Sequence, residues 1–120
     1  MDLGEWGEGQ AASFLQGKGY SLLARNIRIG HCELDLVMKQ REMIVFVEVK
    51  TRISSAFGSP EEGVTVRKRE RLLKAAWGYL ELHDELDTPW RIDVVAIEAS
   101  RQRDILRIEH HPGAFDVGLL

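Results

Sequence analysis

The chain of 120 residues contains one cysteine, Cys32, so it can form neither an internal disulfide nor a multi-cysteine zinc site. No apolar run approaches the ~20 residues of a membrane-spanning helix. Met1 to Glu8 is acidic and lacks the basic and apolar regions of a secretory signal, so a cytoplasmic protein is expected. A basic excess is missing too. Sixteen Lys and Arg face 19 Asp and Glu, a formal net charge of −3, the wrong sign for a protein that simply coats nucleic acid. Internal repeats and low-complexity linkers are absent, and charged residues, 29% of the chain, are spread along it rather than blocked as in disordered segments. With 44% hydrophobic residues the chain can fill one core, and a single domain over residues 1–120 is expected, with a C-terminal tail from about Pro112.

The charge distribution says more than its sum. Val66 to Lys74 holds Arg67, Lys68, Arg69, Arg71 and Lys74 against Glu70, a basic island on an otherwise acidic body. Such an island suits a localised anionic partner or a solvated helix face. Periodicity predicts a first helix from Asp2 to Lys18, with Asp2 as N-cap and Leu3, Trp6, Ala11, Phe14 and Leu15 on one stripe. Glu8 falls on the shoulder of that stripe and Glu5 further toward solvent. Three strands are expected at Tyr20–Arg28, Glu33–Lys39 and Met43–Lys50. In the second, Leu34, Leu36 and Met38 should face one way and Glu33, Asp35 and Val37 the other; the third reads as a central strand, apolar almost throughout. Ile53–Gly63 reads as a loop. Thr65 can cap a second helix reaching Leu82, with Leu72, Leu73, Ala76, Trp77 and Leu80 as its apolar stripe. Strands at Trp90–Glu98 and Ile105–His110 complete an α/β order of α-β-β-β-α-β-β around one mixed sheet.

The chemistry is concentrated at the end of the third strand. Residues two apart in a strand share a face, so Glu48 and Lys50 project together about 7 Å apart. A turn that pairs Lys39 with Ile44 would bring Asp35 opposite Glu48 and Glu33 opposite Lys50, whereas a tighter register would set Asp35 opposite Phe46. Two carboxylates ~5 Å apart repel by roughly 3 kcal/mol at an effective dielectric near 20. A shared proton, the Lys50 ammonium or a divalent metal must compensate. Carboxylate oxygens suit Mg²⁺, which can acidify water and neutralise phosphate charge, and Glu8 could complete such a shell. The plain alternative is a structural salt-bridge cluster at a strand end. Glu33 reads as a rim residue, His31 as an exposed turn residue, Asp93 as a buried hydrogen-bonding residue, and His110–His111 as incidental. Cys32 reads as an inert thiol.

Asp35 with Glu48-Val49-Lys50 resembles the split PD-(D/E)xK signature of restriction-endonuclease-like nucleases. More of the chain resembles the YraN-like family of bacterial proteins, grouped with archaeal-type Holliday junction resolvases. The likeness rests on Gly7-Glu8 with Ala11, Gly19-Tyr20, Ala24-Arg25-Asn26, Glu33 to Val37, Phe46 to Arg52, Phe57-Gly58, Lys68 with Arg71, and Arg91 to Ile97. Cys32 departs from the pattern, which usually has glycine there. The resemblance implies a restriction-endonuclease-like core, Asp35 and Glu48 as ligands of Mg²⁺ or Mn²⁺, Lys50 as catalytic lysine and Glu8 as auxiliary acid. It points to an endonuclease acting on structured or branched DNA, working as a homodimer. Arg52, Lys68 and Arg71 are the candidate phosphate contacts. A non-cleaving nucleic-acid-binding module and a protein-interaction adaptor are the rival readings.

Overall fold

A computed structural model describes residues 1–54 and 65–115. The element order is α1 (Leu3–Gly17), β1 (Ser21–Ile29), β2 (Cys32–Gln40), β3 (Met43–Ile53), α2 (Val66–Leu82), β4 (Trp90–Ala99) and β5 (Ile105–His111). The strands form one five-stranded sheet in sequence order, antiparallel except for the parallel β3–β4 pair that the α2 crossover makes possible. The fold is therefore α/β with a mixed sheet, in the order the sequence predicts. The two caps are also as expected: the Asp2 side chain accepts from the Glu5 amide at 2.8 Å and Thr65 Oγ1 from the Lys68 amide at 3.1 Å. The predicted loop falls largely outside the described residues, as does Phe57-Gly58.

Each helix covers one face of the sheet. Ala11, Ala12 and Leu15 of α1 pack with Leu36, Met38, Val45, Val47, Val95 and Ile97. Leu72, Ala75, Ala76, Tyr79 and Leu80 of α2 pack with Leu34, Val37, Ile44, Phe46 and Ile92. The buried stripe of α2 is thus rotated from the predicted one: Ala75 and Tyr79 are inside, and Trp77 is 55% exposed, its ring edge-on to Trp90. At Gly7, α1 comes so close to β3 that a β-carbon there would lie 1.8 Å from Thr51 Oγ1, which is why no side chain is carried at that position.

The β2–β3 register pairs Lys39 with Ile44 through to Leu36 with Val47, around a tight Arg41-Glu42 turn in which Arg41 takes a positive φ of 54°. The predicted alternation along β2 fails at one point. Leu34 joins the α2-side core, whereas Leu36 and Met38 join the α1-side core. On the partner strand Asn26 has a positive φ of 52°, between the Arg25–Leu36 and Ile27–Leu34 pairs. The face switch therefore lies near Asp35, opposite the left-handed Asn26, while the β1–β2 register itself shifts between Leu22 and Ala24.

The end of the described chain also differs from the expected free tail. The Gly113 amide donates to Asp93 Oδ1 at 2.9 Å, the Ala114 amide to the Ile92 carbonyl at 2.9 Å, and Phe115 is buried in the α2-side core. Asp93, fully buried on β4, holds this corner together. It accepts from Arg91 Nε at 2.8 Å and lies 2.7 Å from His110 Nε2, while Arg91 reaches Tyr20 Oη at 2.8 Å and Gln40 Oε1 at 3.2 Å. Asp93 is the hydrogen-bonding residue the sequence suggests. His110 is not incidental: its ring, 4% exposed, ties β5 into the network.

Candidate functional site

The last ladder pair between β2 and β3 is Leu36–Val47, and beyond it the strands part. The Asp35 carboxylate takes over there, with Oδ2 accepting from the Val49 amide at 2.9 Å. A side chain thus satisfies a β3 donor that the departing strand abandons, and Asp35 is fixed in the notch. Glu48 stands next to it on β3, its side chain only 9% exposed. Glu8 enters from α1, brought down by the close Gly7–Thr51 approach, with its side chain 12% exposed. Glu33, one pleat before Asp35, completes the acidic wall. Carboxylate oxygens of Glu8, Glu33 and Asp35 lie within 4.8 Å of one another.

Neighbouring cations and donors offset the burial of these acids only in part. Burial, reinforced by the Asp35 charge, pushes the Glu48 carboxyl from its usual 4.5 up to about 7. Burial also raises Asp35, against the Val49 hydrogen bond and the Lys68 charge that favour its ionised form. Glu8 is raised by burial and then by Asp35. The cations present are peripheral. Arg25 Nη2 stands 3.9 Å from Glu8 Oε1 and spends a hydrogen bond on the Glu5 carbonyl, while Lys68 Nζ stands 3.7 Å from Glu48 Oε1. Lys50 also favours the charged form of Glu48, by a smaller effect than Lys68. Among the described residues, Glu8 Oε1 and Glu48 Oε2 are buried without a hydrogen-bond partner.

A divalent cation fits this donor set. Hard carboxylate oxygens are what Mg²⁺ and Mn²⁺ take, and those of Glu8, Glu33 and Asp35 would hold such an ion. Buried carboxylates with unanswered oxygens would gain most from such an ion.

The chain is matched from residue 7 to residue 97 by the model of the Uncharacterised protein family UPF0102. The chain belongs to this family. A UPF0102 protein of Syntrophotalea carbinolica is 44% identical over 119 residues, covering 98% of this chain and 94% of its own. One of Syntrophomonas wolfei is 51% identical over 96 residues, covering 80% of this chain and 84% of its own. Among solved structures, Pyrococcus furiosus SfsA in complex with Ca²⁺ superposes with a TM-score of 0.41 at 14% identity, over 88% of this chain and 62% of that one.

Of the residues singled out in this UPF0102 sequence, Asp35, Glu48, Lys50 and Glu8 converge on the notch, and Lys68 joins them from the first turn of α2. Arg71 lies on the same side, within electrostatic reach of Cys32. Arg52 points elsewhere, pairing with Glu98 on β4 at 3.6 Å. Sequence reasoning read Glu33 as a rim residue, and it is exposed but lies at the edge of the cluster; Arg25 and Asn26 entered only through the family likeness and were given no place at the site. Asn26 carried a usable signal: asparagine is among the residues that most readily take the left-handed backbone it adopts here, φ 52°.

Proposed function

We propose that this protein is a metal-dependent endonuclease that hydrolyses phosphodiester bonds in structured or branched DNA. The observation that carries the reading is the notch itself. Carboxylate oxygens of Glu8, Glu33 and Asp35 lie within 4.8 Å of one another, and Glu48 is buried within electrostatic reach of Asp35. Glu8 Oε1 and Glu48 Oε2 have no hydrogen-bond partner among the described residues, and Lys50 and Lys68 act on Glu48. Asp35 and Glu48, with Glu8 and Glu33 beside them, would hold Mg²⁺ or Mn²⁺. Bound there, the ion would supply charge neutralisation at a phosphate and acidification of water.

The chain's own groups then have separable tasks. Asp35 is oriented by the Val49 amide, so its carboxylate is largely positioned before anything binds. Lys50, on the same strand face as Glu48, would place its Nζ against a phosphate oxygen or the attacking water and stabilise the charge that develops there. Glu8, its proton affinity raised by burial, would accept or return a proton at Oε1. The cationic first turns of α2, with Lys68 and Arg71, would take the flanking phosphates. Cutting two strands of a junction requires two such sites, which a homodimer would provide.

The test is calorimetric titration of Mg²⁺ and Mn²⁺ into wild type and Asp35→Ala, alone and with a non-cleavable four-way junction, followed by cleavage of duplex, flap and junction DNA. Binding in wild type that Asp35→Ala abolishes, and cleavage that Lys50→Ala abolishes, would support the reading. Intact DNA with either metal and no metal binding in either protein would overturn it.

A further inference from the structure

Lys68 stands at the third position of α2, where a helix capped by Thr65 is best served by Glu or Gln reaching back to the cap. The first turn of α2 holds no acidic residue at all, and Arg67, Lys68 and Arg69 sit against the positive end of the helix dipole. Local helix chemistry therefore does not explain Lys68. Its surroundings do. The ammonium lies 3.7 Å from Glu48 Oε1, acts electrostatically on Asp35 as well, and leaves Glu48 Oε2 unpartnered. It forms an ion pair with the most buried acid of the site, yet its own side chain is 40% exposed and tethered by a flexible stem.

We infer that Lys68 is a resident counter-ion of the acidic notch, holding the place at Glu48 until a divalent cation arrives and then turning its ammonium to a phosphate of the substrate. This rests on the metal-dependent reading above and assigns Lys68 a positioning role within it. Two opposite consequences follow for one substitution. Removing the ammonium takes away a competitor for Glu48, so the metal should bind more tightly. It also removes a phosphate contact, so nucleic acid should bind more weakly once the metal is present. A lysine that merely braced the fold would produce neither of these effects.

The experiment titrates Mn²⁺ by calorimetry into wild type, Lys68→Met and Lys68→Arg, each also in a Glu48→Gln background. It then measures binding of a non-cleavable four-way junction across a salt series with Mn²⁺ present. Methionine keeps the stem, and arginine keeps the charge. Because Lys68 is partly exposed, screening limits the expected gain in Mn²⁺ affinity for Lys68→Met to about fivefold. Lys68→Arg should stay at the wild-type value, and the gain should vanish when Glu48 is Gln. For the junction, Lys68→Met should reduce the slope of log K against log salt by about 0.9. Metal binding in wild type that is unchanged or weaker in Lys68→Met overturns the counter-ion role and leaves the metal site standing. Absence of Mn²⁺ binding in both proteins, with and without junction, overturns the metal-dependent reading itself. An unchanged salt slope overturns the transfer to phosphate.

Discussion

Glu48→Gln is expected to make the protein more stable, and only at neutral and alkaline pH. The Glu48 carboxyl is raised from 4.5 to about 7, first by burial and then by Asp35. Because the folded value lies above the unfolded one, the folded state holds this proton more tightly. The penalty for ionising Glu48 is therefore absent below about pH 4, grows as pH rises from 4.5 to 7, and is complete above that. A gap of about 2.5 pH units at 1.36 kcal/mol per unit corresponds to roughly 3 kcal/mol. Glutamine has nearly the same shape and no charge to desolvate. It forfeits the pair with Lys68, but that partner is 40% exposed and such pairs contribute at most ~1 kcal/mol. The net gain at pH 8 is then about 2 kcal/mol, or ~8 °C in melting temperature for a domain of this size. Thermal and urea unfolding of wild type and Glu48→Gln at pH 4.5 and pH 8, in a chelator, would measure it. Equal stabilities at pH 4.5 and a more stable variant at pH 8 are expected. A variant destabilised at pH 8, or a difference that does not change with pH, would refute the reasoning, because Glu48 would then be a satisfied structural acid.

Adding a methyl at Gly7 should push α1 off β3, since the new β-carbon would lie 1.8 Å from Thr51 Oγ1; Gly7→Ala is expected to cost about 1–3 kcal/mol in urea unfolding, and Thr51→Ala should recover much of it. Asp93→Ala leaves Arg91 with its main partner gone inside the fold and should cost about 3–5 kcal/mol while leaving metal binding at the notch unaltered in calorimetry. Protons and metal compete for Glu48, so the apparent Mn²⁺ affinity should climb as pH rises through about 7 and level off above it; an affinity flat from pH 5.5 to 8 would remove Glu48 from the ligand set. Lys50→Ala should abolish DNA cleavage with an unfolding curve within ~0.5 kcal/mol of wild type, because a partly exposed lysine contributes little to the fold.

Most of the scaffold was legible because it obeys local rules. Thr65 and Asp2 cap their helices as their hydroxyl and carboxylate chemistry dictates, and the run of apolar residues in β3 becomes the central strand it resembles. The register that brings Asp35 to the β3 ladder end followed from pairing Lys39 with Ile44. What escaped was non-local. The α2 stripe was read around Trp77, but the surface α2 covers is built by Ile44, Phe46 and Ile92 from other strands, and it selects Tyr79 and Ala75 instead. His110 looked incidental because its partners, Asp93 and Lys18, lie 17 and 92 residues away in sequence. Glu33 is exposed, as a rim residue should be, yet its carboxylate reaches within 4.8 Å of Glu8 and Asp35, because Glu8 comes from a helix whose docking on β3 local periodicity does not reveal.

Several locally unfavourable features do gather in one place. The broken alternation at Asp35, the left-handed Asn26 opposite it, the side-chain-free Gly7 against Thr51 and the cationic first turn of α2 surround a single notch. Each is costly or unfavourable locally: a positive φ on a non-glycine residue, a glycine inside a helix, lysine and arginine at the positive end of a dipole. A sequence shaped for stability alone would have little reason to gather them in one place, whereas a site that must hold several carboxylates out of water has to break such rules to bring the backbone and Glu8 close enough. The same logic accounts for the contrast with the Asp93 corner. There the buried carboxylate is answered by Arg91, His110 and the Gly113 amide, and the outcome is a lock on β5. At the notch Asp35 is held by the Val49 amide, Glu48 faces Lys68 at 3.7 Å and Glu8 faces Arg25 at 3.9 Å, while Glu8 Oε1 and Glu48 Oε2 lack a hydrogen-bond partner among the described residues.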